Sequence, residues 1–272
     1  MGQFNFFEIE KQSENRTAII YLNGPDARNS MVWDFWKELP EVVDYLEKTD
    51  VKAAVFASRK KSFSIGLDLN EFADKFRDII QGATADRRME FLKLIQDMQS
   101  GFLRIMQSRI IFVAAVHKHC IGGALDLISA CDLRLASEDA MVSLRETKVA
   151  IVADMCSLNR LPSIIGQGNT RMLAFTGADF SAQKCHSMGL FNEICADQES
   201  LLERATELVN EIAGNPGIVL RGVKEQLNYM ERHTPEEGLN YVAVWNAAFL
   251  DSEDFRELQS AFRERRRPVY RS

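Results

Sequence analysis

The sequence predicts an α/β fold, and three observations carry that prediction. Short β-rich runs alternate with amphipathic helical ones through the first two hundred residues. A continuous apolar run, Ile110 to Val116, passes into Gly122-Gly123 and then into an apolar helix. After about residue 198 the strand signals stop and four helical segments follow. Alternation of this kind builds β/α units with crossover connections.

In chain order, Thr17-Ala-Ile-Ile-Tyr-Leu22 is β-rich and ends in the turn signal Asn23-Gly24-Pro25. Met31 to Lys48 reads as a helix, and Ala53 to Ala57 as a short buried strand. Phe91, Leu94, Ile95, Met98, Phe102 and Ile105 recur at helical spacing. The run 110–116 has no polar alternation, as in a strand covered on both faces. Leu133 to Ala136 is strand-like. Glu199 to Ile212, Gly217 to Glu231, Thr234 to Leu250 and Ser252 to Arg267 read as successive helices. Two regions are therefore expected: an α/β core over 1–198 and a helical region over 199–272.

Composition narrows the function. The chain has 272 residues, 46% of them hydrophobic, enough for a large core. No apolar stretch reaches the ~18 residues of a membrane span, and the N-terminus lacks a signal-peptide pattern. A net charge of −6 argues against nucleic acid as a partner. The basic block Arg263, Arg265, Arg266 and Arg267 is either a solvated helix end or an anion contact. Five cysteines, an odd number with no CxxC pair, fit a reducing compartment, taken here as cytoplasmic. His117 and His119 have no third ligand placed near them, so no metal site is expected.

Chemistry concentrates in two glycine-bearing loops and three acids. Gly122-Gly123 lies between a buried strand and a helix whose first N–H groups are unpaired and positive. Such a turn suits an oxyanion, although a plain tight turn satisfies the same pattern. A second loop, Ser62 to Asp68, also follows a strand, and Asp68 reads as a helix cap. Asp126, Glu146 and Asp154 lie in apolar surroundings, where a carboxylate must be paired or protonated. Arg145, Lys148 and Arg160 are the candidate partners. Each acid alone reads as a cap or ion pair; three together shift the balance toward proton transfer.

These residues resemble the enoyl-CoA hydratase/isomerase (crotonase) family over nearly the whole chain. Phe63-Ser-Ile-Gly-Leu-Asp68 is similar to the family's F-x-x-G-x-D loop. The run from Ala115 through Gly122-Gly-Ala-Leu-Asp126 to Cys131-Asp-Leu-Arg134 resembles its central glycine block, and Ala261-Phe-Arg-Glu-Arg-Arg266 its closing segment. The resemblance implies a crotonase-type ββα spiral core with a C-terminal helical trimerisation region, assembled as a homo-trimer or dimer of trimers. It implies acyl-CoA as substrate, with no cofactor. It further implies an oxyanion hole from the amides of Ile65 and Gly123, and CoA contacts from Ser64, Gly66 and Asp68. Phe262 and Arg265 would reach a neighbouring subunit's ligand.

The acids point to one branch. Hydratases of the family carry two glutamates where Asp126 and Glu146 stand. Asp126, Glu146 and Asp154 together resemble the dienoyl-CoA isomerases, which move conjugated double bonds during fatty-acid β-oxidation. Water addition to a 2-enoyl-CoA, or acyl-CoA binding without catalysis, are the alternatives. The chain departs from that branch in placing Lys118, Ala124, Ala150 and Cys156 where glycines are expected, Val152 where alanine is expected, and Lys148 where an acid is expected.

Overall fold

A computed structural model describes residues 4–80 and 84–272. The elements follow in chain order: β1 (Phe7–Gln12), β2 (Thr17–Leu22), α1 (Trp33–Glu47), β3 (Ala53–Ser58), α2 (Leu69–Ile80), α3 (Ala85–Gln107), β4 (Ile111–Val116), β5 (His119–Ile121) and α4 (Gly123–Ala130). Then come β6 (Leu133–Ser137), β7 (Met141–Ser143), a 3-10 turn (Glu146–Val149), α5 (Ser157–Thr176), β8 (Phe180–Ser181), α6 (Ala182–Ser187) and β9 (Glu193–Cys195). Four helices close the chain: α7 (Gln198–Ala213), α8 (Gly217–Met230), α9 (Pro235–Phe249) and α10 (Glu253–Glu264).

A six-stranded sheet runs β1-β2-β3-β4-β6-β9, antiparallel only between β1 and β2. A three-stranded sheet runs β5-β7-β8, and a parallel bridge from Ser64 to Cys120 extends it. Successive turns of chain thus lay one strand in the large sheet and a short one in the small sheet, then a helix: β4, β5 and α4; β6, β7 and α5.

Side-chain alternation explains why the large-sheet strands carry no polar face. On one face Ile20, Phe56, Phe112 and Val116 join the core built with α1, α3 and α4. On the other, Ile19, Val55, Val113 and Leu135 pack against Leu201, Ala205 and Val209 of α7. Every residue of α4 is buried, as its all-round apolar sequence requires. Full burial of each large apolar side chain stabilises by ~1.5–3 kcal/mol.

The expected boundary at residue 198 falls just before α7. Helix α7 completes the second core, through Leu201, Ala205 and Val209. Helix α8 is pinned back by Lys224, whose buried Nζ donates to Ile105 and Ile110 carbonyls and pairs with Asp132 at 2.8 Å. Two glycine departures show their cost in the backbone: Lys118 has φ 54° and Ala150 φ 61°, the left-handed region that glycine enters freely. Lys118 offsets part of this through a 2.8 Å contact to Asp139.

No helix among the described residues is long and apolar enough to cross a membrane.

Candidate active site

The first loop is built by Gly66. Its φ of 81° turns the chain so that it passes directly over the second loop; a Cβ there would stand 2.4 Å from the Ile121 carbonyl and 3.1 Å from the Gly123 amide. Only glycine permits that approach. Gly122 (φ 56°, ψ −120°) makes the second turn and starts α4, which leaves the Gly123 amide in the unpaired first position of the helix. A Cβ on Gly122 would stand 3.2 Å from Glu146 Oε1. The two turns and one acid therefore meet at a single point.

That point is the floor of a cavity of about 430 Å³, lined by Ile65, Leu67, Gly122 and Gly123 together with Asp126, Glu146 and Asp154. Trp36, Phe72, Phe91, Ile95, Met98 and Met155 give it an apolar wall. The three acids anticipated in sequence are thus brought together.

Each acid sits differently. Asp126 is 1% exposed, and its Oδ1 accepts from the amides of Cys156 (2.9 Å) and Ser157 (2.6 Å). Burial raises its pKa, while those two amides favour the charged form. Glu146 occupies the 3-10 turn, and its Oε2 is buried with no hydrogen-bond partner. Burial, then the charge of Asp126, pushes its pKa up to about 7. Asp154 stands at the cavity mouth; the residue as a whole is exposed, yet burial raises its carboxyl above the usual range. Its charge in turn raises Glu146 and Asp126. The backbone of Asp154 is braced by α3, through Gln99 Nε2 donating to its carbonyl.

Two of the three cations expected to neutralise these acids are engaged elsewhere. Arg145 pairs with Asp179 and Arg160 with Glu231. Both partners lie far along the chain, so spacing could not have named them. Burial raises all three carboxyls, and repulsion from a neighbouring acid adds to it at Glu146 and Asp126, taking Glu146 to about 7.

Two groups of site residues need correction. Ile65 lines the cavity, but its amide donates to the Arg28 carbonyl at 3.2 Å and is not free for an oxyanion. Leu67 also lines the cavity, and the contacts around it use its neighbours' groups: Met31 N–H donates to Gly66 O, and Asp68 N–H to Met31 O. Among the described residues no partner for the Leu67 amide is found, which leaves it, and not the Ile65 amide, unpaired in the lining with Gly123. Ser64 is fully buried; its hydroxyl donates to the Asn29 carbonyl and accepts from the Gly66 amide. Ser64 and Gly66 therefore build the loop and present no polar group to the cavity. Asp68 Oδ1 accepts from the amides of Asn70 and Glu71, making it the cap of α2. Phe262 (83% exposed) and Arg265 lie at the end of α10, outside the lining. In the basic block, Arg266 is tied to Glu257 and Glu264.

Comparison with known proteins agrees with this architecture. Residues 12–272 match the family described as enoyl-CoA hydratase/isomerase. A mitochondrial Δ3,5-Δ2,4-dienoyl-CoA isomerase of Dictyostelium discoideum is 33% identical over 98% of this chain and 92% of its own length. A peroxisomal one of Arabidopsis thaliana is 35% identical over 96% and 95%. The compartments in those two names do not support the cytoplasmic expectation. A mevalonyl-coenzyme A hydratase of Aspergillus fumigatus is 30% identical over 93% and 90%. The crystal structure of a Bacillus anthracis enoyl-CoA hydratase superposes with a TM-score of 0.85 at 25% identity, covering 98% of this chain and 99% of that one. The core is thus the crotonase spiral, and the chain belongs to the enoyl-CoA hydratase/isomerase family.

Proposed function

We propose that this chain isomerises 3,5-dienoyl-CoA thioesters to 2,4-dienoyl-CoA. The observation that carries the reading is the presence of three carboxyls on one cavity, none paired to a cation among the described residues, around two unpartnered amides. Conjugated double bonds move by one position when a proton leaves C2 and another arrives at C6. Glu146, with a buried unpartnered oxygen and a pKa near 7, takes the C2 proton. The electron pair passes into a trienolate whose oxygen is held by the Leu67 and Gly123 amides. Protonated Asp154 delivers to C6, and the C3 and C5 double bonds become C2 and C4 double bonds. The acids end with the proton on Glu146, and exchange through the open mouth restores the starting state. Asp126 anchors the segment before α5 and, by its charge, sets the proton affinity of Glu146.

The relatives named as dienoyl-CoA isomerases support this choice over hydration, as does a third acid, which water addition does not require. CoA itself is the handle of the substrate, and no separate cofactor takes part. The exposed apolar residues of the last helices, among them Leu227, Leu239 and Val244, support assembly as a trimer or dimer of trimers, in which Phe262 and Arg265 reach a neighbour's ligand.

The test is an absorbance assay on 3,5-dienoyl-CoA with wild type and Asp154→Asn. A conjugated 2,4-dienoyl product is expected from wild type, with a loss of about 10²–10⁴-fold in the variant, the range for a removed general acid. Wild-type rates in Asp154→Asn would overturn the assignment; a hydrated product would favour the hydratase reading.

A further inference from the structure

The loop that carries the Leu67 amide is held by a segment outside the cavity lining. Residues 27–31 run beside it. Lys61 N–H donates to the Ala27 carbonyl, Ile65 N–H to that of Arg28, Met31 N–H to that of Gly66 and Asp68 N–H to that of Met31, at 2.8 to 3.2 Å. Met31 thus grips the residues on either side of Leu67, in a parallel bridge. Its Sδ also stands 3.0 Å from where a Cβ on Gly123 would lie. One residue therefore touches both amide-bearing turns. The bridge from Ser64 to Cys120 joins the same loops, but it lies before the Gly66 turn and does not reach Leu67.

Asn29 anchors this segment. It is fully buried with φ 55°, a conformation that asparagine adopts more readily than most residues. Its Nδ2 donates to Ser58 Oγ at 2.7 Å and to the carbonyls of Ser62 and Phe63 at 3.2 and 3.0 Å. Its Oδ1 accepts from the Gly24 amide at 2.9 Å, and its carbonyl accepts from the Ser64 hydroxyl at 2.6 Å. We infer that Asn29 is a positioning residue: it sets the place of Met31, and through it the spacing of the Leu67 and Gly123 amides. The inference rests on the reading that these two amides hold the enolate oxygen. A displaced donor still permits thioester binding but loses hold of the charge that develops, so the effect falls on kcat rather than on affinity.

The experiment records the Raman carbonyl stretch of octanoyl-CoA, isotopically labelled at the thioester carbon, bound to wild type, Asn29→Gly, Asn29→Asp and Lys224→Met. Glycine keeps the left-handed turn and removes the four side-chain bonds. Aspartate keeps the shape but sets an acceptor against the Ser62 and Phe63 carbonyls. Lys224→Met breaks a buried tie to Ile105, Ile110 and Asp132 and controls for lost stability. Thermal melts verify folding. In wild type the two amides should shift the stretch below that of free ligand, and Lys224→Met should keep the shift. Both Asn29 variants should return the stretch toward the free value. They should also lower kcat on 3,5-dienoyl-CoA about 10²-fold, the cost of a small misplacement, with calorimetric Kd within about threefold. A shift kept in both Asn29 variants overturns the inference. So does an equal loss in Lys224→Met, or a Kd weakened as much as kcat. An unshifted stretch in wild type overturns the oxyanion hole and the inference with it. The stretch needs no turnover, so failure of the isomerase reading appears separately, as absent conversion of dienoyl-CoA by a wild type whose stretch is shifted.

Discussion

Replacing Glu146 by Gln should stabilise the protein at alkaline pH and do little in acid. The Glu146 carboxyl ionises at about 7 when folded, against an ordinary 4.5, chiefly because of burial and secondarily because of Asp126. A raised carboxyl pKa means that the folded chain binds the proton more tightly than the unfolded one. Stability is therefore lost as pH rises from 4.5 through 7, and the penalty is fully present above 7. At 1.36 kcal/mol per tenfold in proton affinity, it reaches ~3 kcal/mol at pH 8 and stays under ~1 kcal/mol at pH 5. Gln carries no charge and escapes it. Urea unfolding of both proteins at pH 5 and pH 8 measures the difference directly, and in a chain of this size the pH 8 gain corresponds to roughly 6–10 °C in Tm. Equal offsets at the two pH values, or a variant less stable at pH 8, would refute the reasoning. The same substitution should abolish C2 proton exchange, separating the stability of the site from its use.

Three further outcomes follow from the geometry. Asp126→Asn keeps an oxygen for the Cys156 and Ser157 amides but removes a charge that raises Glu146; the rising limb of the kcat/KM profile, near pH 7 in wild type, should move to lower pH. An amide-to-ester replacement at Leu67 should lower kcat by about 10²–10³-fold, the cost of one oxyanion donor. At Ile65 it should instead cost ~1 kcal/mol of stability, because that amide serves the Arg28 carbonyl. Ala150→Gly should stabilise by about 1 kcal/mol, read by urea unfolding, since φ at that position is 61°.

Much of this architecture can be read before the coordinates. Strands β2, β3 and β4 are legible because burial on both faces leaves continuous apolar runs. Helix α3 is legible by its spacing, and Gly122-Gly123 by the need for a sharp turn. Strand β1 is harder: Phe7 and Ile9 alternate with Glu8 and Glu10 on an edge, and the pattern is short. Strands β5, β7, β8 and β9 have three residues or fewer, below the window in which periodicity has meaning. Helix α5 is masked by Pro162 and by the break at Gly166.

The site shows the same division. The three acids are legible because charge in apolar context is expensive. That none of them is ion-paired among the described residues is not, because Asp179 and Glu231 reach Arg145 and Arg160 only through the fold. Nor is the choice between the amides of Ile65 and Leu67, which depends on how the left-handed Gly66 turns the peptides beside it. Ser64 looks like a polar ligand contact in sequence, but the Asn29 carbonyl claims its hydroxyl.

The central claim is a proton taken at C2 by one acid and returned at C6 by another. Turnover of 3,5-dienoyl-CoA in deuterated water, with mass and NMR analysis of substrate and product, tests it most directly. Wild type should place deuterium at C6 of the 2,4-diene. Asp154→Asn should form almost no product yet still exchange the C2 proton of the remaining substrate through Glu146. C2 exchange lost in Asp154→Asn but retained in Glu146→Gln would contradict the account.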